Sequence, residues 1–177
     1  MPDNRKNNLK GHRYLNNYKQ DVSGAYRYTG ELYKWVSDKK RACRNMWGLS
    51  IMEVVLGGAG GSMPKAGMEG HFYALGPFVV MLIFICVQIY ALGNLSMIRD
   101  NIKDYEHDRY FKPMPVFNLI TAVAAAVAAI GQTVNVATGW YGEHLLYGIA
   151  LILVELVIGA LAYLYYRYVK VLVIEKI

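Results

Sequence analysis

The sequence predicts an all-α integral membrane protein: a four-transmembrane-helix bundle with both termini cytoplasmic and a short basic, aromatic segment ahead of the first helix. Three observations predict it. Apolar residues make up 55% of the 177-residue chain and stand in long blocks instead of short amphipathic runs. Each block approaches the roughly 20 residues that a hydrocarbon core about 30 Å thick requires. Lys and Arg are distributed so unevenly that four spans would put 18 of the 19 on one side of the membrane. With only two cysteines and no compositional bias toward glycine or proline, a disulfide-stapled secreted scaffold, a collagen and a low-complexity chain are all excluded.

The first unit, residues 1–45, is the cytoplasmic segment, and residues 46–177 form the transmembrane domain. The segment holds 11 Lys/Arg, five Tyr and one Trp, too aromatic for a plain disordered tail. From Ala25 to Val36 the pattern alternates about Thr29-Gly30, so a β-hairpin over 25–36 is expected. Pairing across that turn puts Tyr26, Tyr28, Tyr33 and Trp35 on one face. Because an isolated hairpin is marginal in water, this face needs a surface: the anionic lipids of the cytoplasmic leaflet, a partner protein, or the protein's own helix ends. Lys39, Lys40, Arg41 and Arg44 add to the lipid option, at about 1 kcal/mol per basic residue near the surface. The positive-inside rule already accounts for the charge, so nucleic acid is not expected as a partner. The first 40 residues lack an apolar core, and the first span is expected to serve as its own insertion signal.

The four spans are expected over 46–63, 72–97, 115–137 and 145–166. The first is short and glycine-rich, and taken alone it reads equally well as a re-entrant segment. Charge decides for spanning, because three spans would put the basic C-terminus opposite the basic N-terminus. Gly57 and Gly61 have GxxxG spacing, and Ala122, Ala126 and Ala129 line a small-residue face of the third span; both are helix-packing signals. No Gly-Lys-Ser/Thr follows the glycine run, so it is not a phosphate loop. Trp47, Phe72, Tyr73, Trp140, Tyr141, Tyr165, Tyr166 and Tyr168 stand at span ends, where interfacial anchors belong. Between the second and third spans, Arg99–Lys112 reads as a cytoplasmic continuation of the second helix ending before Pro113. Asp100, Asp104 and Asp108 share a stripe there; a solvated, salt-bridged face is expected and no metal is assigned.

Ionisable residues inside spans are costly and are functional candidates by default. Glu53 and Glu155 are the two. Counted from the cytoplasmic ends at 1.5 Å per residue, Glu53, Gln88, Thr121 and Glu155 lie roughly 10, 13, 9 and 16 Å deep, so each helix contributes a polar side chain at similar depth. No cation stands in the spans to neutralise the glutamates. They are expected to carry a proton or share a cation, or else to hydrogen-bond across helices to Gln88 or Thr121. Gln132, Thr133 and Asn135 line an outward vestibule or satisfy one another.

The sequence lacks a Ser or Cys nucleophile near a membrane histidine, an HExxH and a P-loop. His71 and His144 stand at the hydrated outer interface, so no haem and no other cofactor is expected. The expected function is a non-enzymatic accessory or oligomeric component of the plasma (inner) membrane, acting through a membrane-protein partner or as a homo-oligomer. The alternative is a small proton- or cation-coupled carrier or channel using Glu53 and Glu155. A membrane-embedded enzyme using that pair as acid and base is a remote third.

Overall fold

A computed structural model describes residues 17–21, 24–63, 71–98, 101–172 and 174–176. Lys65, Arg99 and Asp100 lie outside the described residues. Four long helices dominate: α1 Lys39–Gly61, α2 Phe72–Met97, α3 Met114–Ala137 and α4 Leu145–Val171. By length and composition, α2 and the stretches containing α3 (Asp104–Ala137) and α4 (Gly142–Val171) are able to cross a membrane. Local chemistry sets the boundaries. The Asp38 carboxylate caps α1 by accepting from the Lys40 N–H at 2.9 Å. Pro115 falls in the first turn of α3, where its missing N–H costs little.

Five short strands gather at one end of the bundle: β1 Tyr18–Gln20, β2 Tyr26–Tyr28, β3 Leu32–Trp35, β4 Asn101–Lys103 and β5 Ile174–Lys176. A small hairpin near the N-terminus is present, but its strands are not those expected over 25–36. It joins β1 to β2, with Tyr18 opposite Tyr28. Its turn is closed by the Asp21 N–H donating to Ala25 O at 2.8 Å, with Gly24 at φ +81°. Thr29-Gly30 instead links this hairpin to a second sheet. There β3 is the central strand, antiparallel to β4 (Tyr33 opposite Ile102) and to β5 (Lys34 opposite Glu175). The physical reason is the ladder count: in the centre of a sheet β3 satisfies both edges, whereas a local hairpin satisfies one.

The 99–112 segment is likewise not a continuation of α2. That helix stops at Met97, the chain extends as β4, and it re-enters helix at Asp104. Pairing with β3 buries Ile102 completely, which a helix running on into solvent would not do. The Glu106 carboxylate then accepts from the Lys103 N–H at 2.9 Å to start the next turn. His107–Phe111 is wound as a π-helix. Lys112 N–H reaches back to His107 O at 3.0 Å.

The bundle is apolar outside, and its interior holds apolar clusters together with buried polar side chains. Outward-facing positions include Ile51 and Val55 of α1, Ile83 of α2, Val123 and Ile130 of α3, and Leu153 of α4, all well exposed. Inside, two apolar clusters are stacked along the bundle. The cluster nearer the sheets contains Met46, Leu92, Leu95, Met114, Tyr165 and Val169. The farther one contains Phe78, Met81, Ile85, Ala125, Ala128, Leu151 and Ile158. Helix contacts are close where glycine permits: a Cβ on Gly131 would stand 3.0 Å from the Ala74 Cα. Gly57 meets Leu82 of α2, while Gly61 makes only ordinary contact with Phe78. In α3 the buried alanines are Ala124, Ala125, Ala128 and Ala129, whereas Ala126 faces outward and Ala122 is half-buried. At 100° per residue, the face that meets α2 and α4 lies one step away from the expected Ala122–Ala126 stripe. Tyr141 and Tyr165, expected as interfacial anchors, both turn inward and are buried.

Candidate functional site

Among the described residues, eight polar side chains are buried in the bundle: Ser50 and Glu53 on α1, Gln88 on α2, Asn118, Thr121, Gln132 and Asn135 on α3, and Glu155 on α4. Seven of them fall into two groups, and Glu155 stands apart. The first lies between the two apolar clusters. Gln88 is its hub: its Nε2 donates to Glu53 Oε2 at 3.0 Å and to Ser50 Oγ at 3.1 Å. The Ser50–Glu53 pair shares a face of α1 because residues three apart on a helix are neighbours.

Asn118, Thr121 and Tyr165 belong to the same layer. α2 and α3 run antiparallel and touch at Ala74 and Gly131. From there Gln88 is about 21 Å down α2 and Asn118 about 20 Å down α3. The Phe84 and Phe117 rings, 5.9 Å apart, hold the same register one turn away. Tyr165 brings its hydroxyl from α4 into the electrostatic reach of Ser50 and Glu53. Two side chains here turn partly back on their own helix: Asn118 Nδ2 donates to Met114 O at 2.8 Å, and Thr121 Oγ1 to Phe117 O at 3.0 Å. Those bonds engage the Asn118 amide nitrogen and leave its Oδ1 buried. Among the described residues, Glu53 Oε1, Gln88 Oε1, Asn118 Oδ1 and the Tyr165 hydroxyl are all buried without a hydrogen-bond partner.

Glu155 is elsewhere. It sits between Leu151 and Ile158, within the farther apolar cluster. Gly60 of α1 packs against Leu151 and Val154. By that register Glu155 is roughly 5–9 Å farther from the sheets than Glu53. Among the described residues, neither of its buried carboxyl oxygens has a hydrogen-bond partner. The titratable group in its electrostatic reach is Tyr141. Tyr141 belongs to the second polar group, near the far end of the bundle. Its hydroxyl donates to Gln132 Oε1 at 2.7 Å, Asn135 Nδ2 donates to the same oxygen at 3.1 Å, and the Tyr73 hydroxyl donates to Asn135 Oδ1 at 2.5 Å. Thr133 stays out of this network, its hydroxyl returning to Ala129 O at 2.7 Å. His71 packs on Trp140 and His144 on Tyr147.

No protein-family model, curated protein or solved structure matches this chain. Its chemistry is read from the side chains themselves. Five of the six unpartnered core atoms named above are carboxyl or amide oxygens, which only accept unless a carboxyl is protonated; the sixth is a hydroxyl. What such a core lacks is positive charge or donated hydrogen. Sequence reasoning singled out Glu53, Gln88, Thr121 and Glu155, and missed Ser50, Asn118 and Tyr165 as members of the layer. A signal for two of these was present. Ser50/Glu53, Asn118/Thr121 and Gln132/Asn135 are all polar pairs at i,i+3 in otherwise apolar helices.

At the sheet end, two members of the aromatic set fold onto the protein itself. Trp35 meets Phe111 edge-on at 5.7 Å, and Tyr33 stacks on His107 at 4.4 Å and 8°. Burial of His107 holds its imidazole below the usual histidine value, against the opposing charge of Asp108. Tyr26 is left exposed. Tyr28 lines a groove of about 750 Å³ between the hairpin and the end of α2, with Asn94, Met97, Lys103, Tyr105 and Tyr110. Lys103 Nζ bonds the Tyr18 hydroxyl at 2.8 Å there, which raises its basicity. Of the basic cluster, Lys39 donates to Ile98 O, tying the start of α1 to the end of α2. Lys40, Arg41 and Arg44 are exposed.

Proposed function

We propose that this chain is a non-enzymatic, four-span protein of the plasma (inner) membrane, both termini cytoplasmic, whose polar core takes up a proton or a cation. Support for four spans comes from the second sheet. β3 leads into α1, β4 lies between α2 and α3, and β5 follows α4. One sheet cannot straddle a bilayer, which favours each helix pair going out and returning. The 23 residues of α1 span about 35 Å, enough to accompany the other three. The strand end also carries most of the basic residues, which favours its assignment to the cytoplasm.

The observation that carries the functional reading is the set of buried oxygens without partners on Glu53, Gln88, Asn118 and Glu155. Leaving one buried polar atom unsatisfied costs about 1–3 kcal/mol. Several in one small bundle are best understood if an occupant completes them. The titratable group facing Glu53 is Tyr165, and the one facing Glu155 is Tyr141. Reconstituted into vesicles, the protein is expected to carry a pH-dependent cation or proton flux that Glu53→Gln and Glu155→Gln each abolish while leaving the helical bundle folded. Unchanged flux in both variants contradicts the proposal.

A second reading, an accessory subunit or homo-oligomer docked through the sheet end, is favoured by the exposed Tyr26 and the groove beside Tyr28. Its test is removal of residues 1–28, which deletes the hairpin and keeps β3. Loss of a stoichiometric complex in mild detergent supports docking, and an intact complex contradicts it.

A further inference from the structure

Resting on the reading that the core takes a proton or cation, we infer that the layer between the two apolar clusters is a site for one dehydrated monovalent cation of sodium size. The carboxylate of Glu53 is its counter-charge, and Gln88, Asn118 and Tyr165 complete a shell made only of oxygen.

Four observations lead there. Glu53, Gln88, Asn118 and Tyr165 are each fully buried, and each keeps one oxygen without a partner. They come from four different helices and stand near one level of the bundle. The remaining hydrogen bonds hold them in place. Gln88 Nε2 is engaged by Glu53 and Ser50, and Asn118 Nδ2 by Met114 O, so the amide oxygens are the ends left over for a ligand. Apolar clusters close the layer above and below, which keeps bulk water from competing.

The donor set selects the ion. It contains no imidazole and no thiolate, the ligands that zinc, copper and iron favour. Carboxylate, amide carbonyl and hydroxyl oxygens suit hard cations. Charge then separates monovalent from divalent. The layer holds one carboxylate, and among the described residues no three His, Cys, Asp or Glu side chains gather as a metal-binding set. One carboxylate neutralises a single positive charge. A divalent ion would keep a net charge in a low-dielectric core, which is strongly unfavourable. A proton on Glu53 is the competing occupant, since it would neutralise the same carboxylate while leaving the Gln88 and Asn118 oxygens unfilled.

The test uses the full-length protein purified in nanodiscs at pH 8. Its thermal unfolding is followed as NaCl replaces N-methylglucamine chloride at constant ionic strength. A ligand bound to the folded state alone raises Tm by mass action, and at a hundredfold excess over Kd the expected rise is about 5–10 °C for a chain of this size. The rise is expected to saturate with Na⁺, to be smaller with K⁺, and to persist in Thr133→Val. It should disappear in Glu53→Gln. Should that variant not fold, Tyr165→Phe removes a single hydroxyl and is expected to raise the Na⁺ midpoint about tenfold. A Tm indifferent to Na⁺, Li⁺ and K⁺ but rising as pH falls overturns the cation site and leaves the protonated core standing. Indifference to both cations and pH overturns the site and the reading beneath it.

Discussion

The sheet end and the helical bundle are built from one chain by opposite rules. At the sheet end Trp35, Ile102 and Phe111 are buried, while Lys19, Arg27 and Lys34 face outward. In the bundle Glu53, Gln88, Asn118 and Glu155 are buried, while Ile51, Ile83, Val123 and Leu153 face outward. The first arrangement suits water, and the second suits the hydrocarbon in which the bundle is proposed to lie. Helices in lipid gain nothing from burying leucine, so alanine and glycine seams and interhelical hydrogen bonds hold them together. On the proposed four-span reading, the change of solvent falls near the start of α1 and the end of α2, where Lys39 and Trp47 bridge the two helices through Ile98 O and Ser96 Oγ.

Changes that respect one rule and violate the other sharpen this contrast. The largest effect is expected from Trp35→Ala, which empties the packing against Phe111 and costs about 3–5 kcal/mol. That loss is confined to the sheets: hydrogen exchange should quicken in β3 and β4 while the helices keep their protection. Uniform loosening of the helices would show that the two regions are not separate. Next comes Val123→Arg on the outer face of α3, at about 2.5–3.5 kcal/mol for a charge in mid-membrane. It should sharply reduce the fraction of protein that resists carbonate extraction, whereas Lys34→Arg at the sheet end should not. Equal extraction of both variants would contradict the lipid-facing assignment.

Within the core, the two glutamates are expected to behave differently. Glu53→Leu takes an acceptor from Gln88 Nε2 and should cost about 1–2 kcal/mol. Glu155→Leu removes a carboxyl that has no hydrogen-bond partner, so stability should hold or rise. Thermal unfolding in nanodiscs at pH 7 separates the cases, and an equal loss in both variants would contradict their different settings. The smallest effect concerns His107. Its burial favours the neutral ring, so the open sheet end binds the proton first as pH falls below the ordinary histidine value of 6.5. The stability contributed by its stack on Tyr33 is therefore present above that pH and lost below it. Exchange of the β3 amides, corrected for intrinsic rate, should quicken at pH 5 relative to pH 7.5 in the native chain and much less in His107→Phe.

What was legible in the sequence followed from local pattern. Helices of span length and the inward position of Glu53, Gln88 and Glu155 could be read from apolar blocks and from the cost of placing charge in lipid. Strand pairing could not. Residues 25–36 alternate as a hairpin should, yet β3 finds its partners about 70 and 140 residues away, a choice set by long-range ladders and the burial of Ile102. Helix rotation was also hidden. Tyr165 was expected at the interface because aromatic residues gather there, but a rotation of one residue step sends its hydroxyl to Ser50 and Glu53. The same one-step uncertainty moved the α3 seam from Ala126 to Ala125 and Ala128.

The central claim is that the bundle crosses the membrane four times with every strand on the cytoplasmic side. It is tested most directly by labelling single cysteines in intact cells with a membrane-impermeant maleimide, in a Cys43→Ala, Cys86→Ala background. Trp140→Cys, in the turn between α3 and α4, is predicted to label from outside. Lys34→Cys in β3 and Glu175→Cys in β5 are predicted to label only after the cells are opened. External labelling of either strand, or of one strand but not the other, would contradict the account.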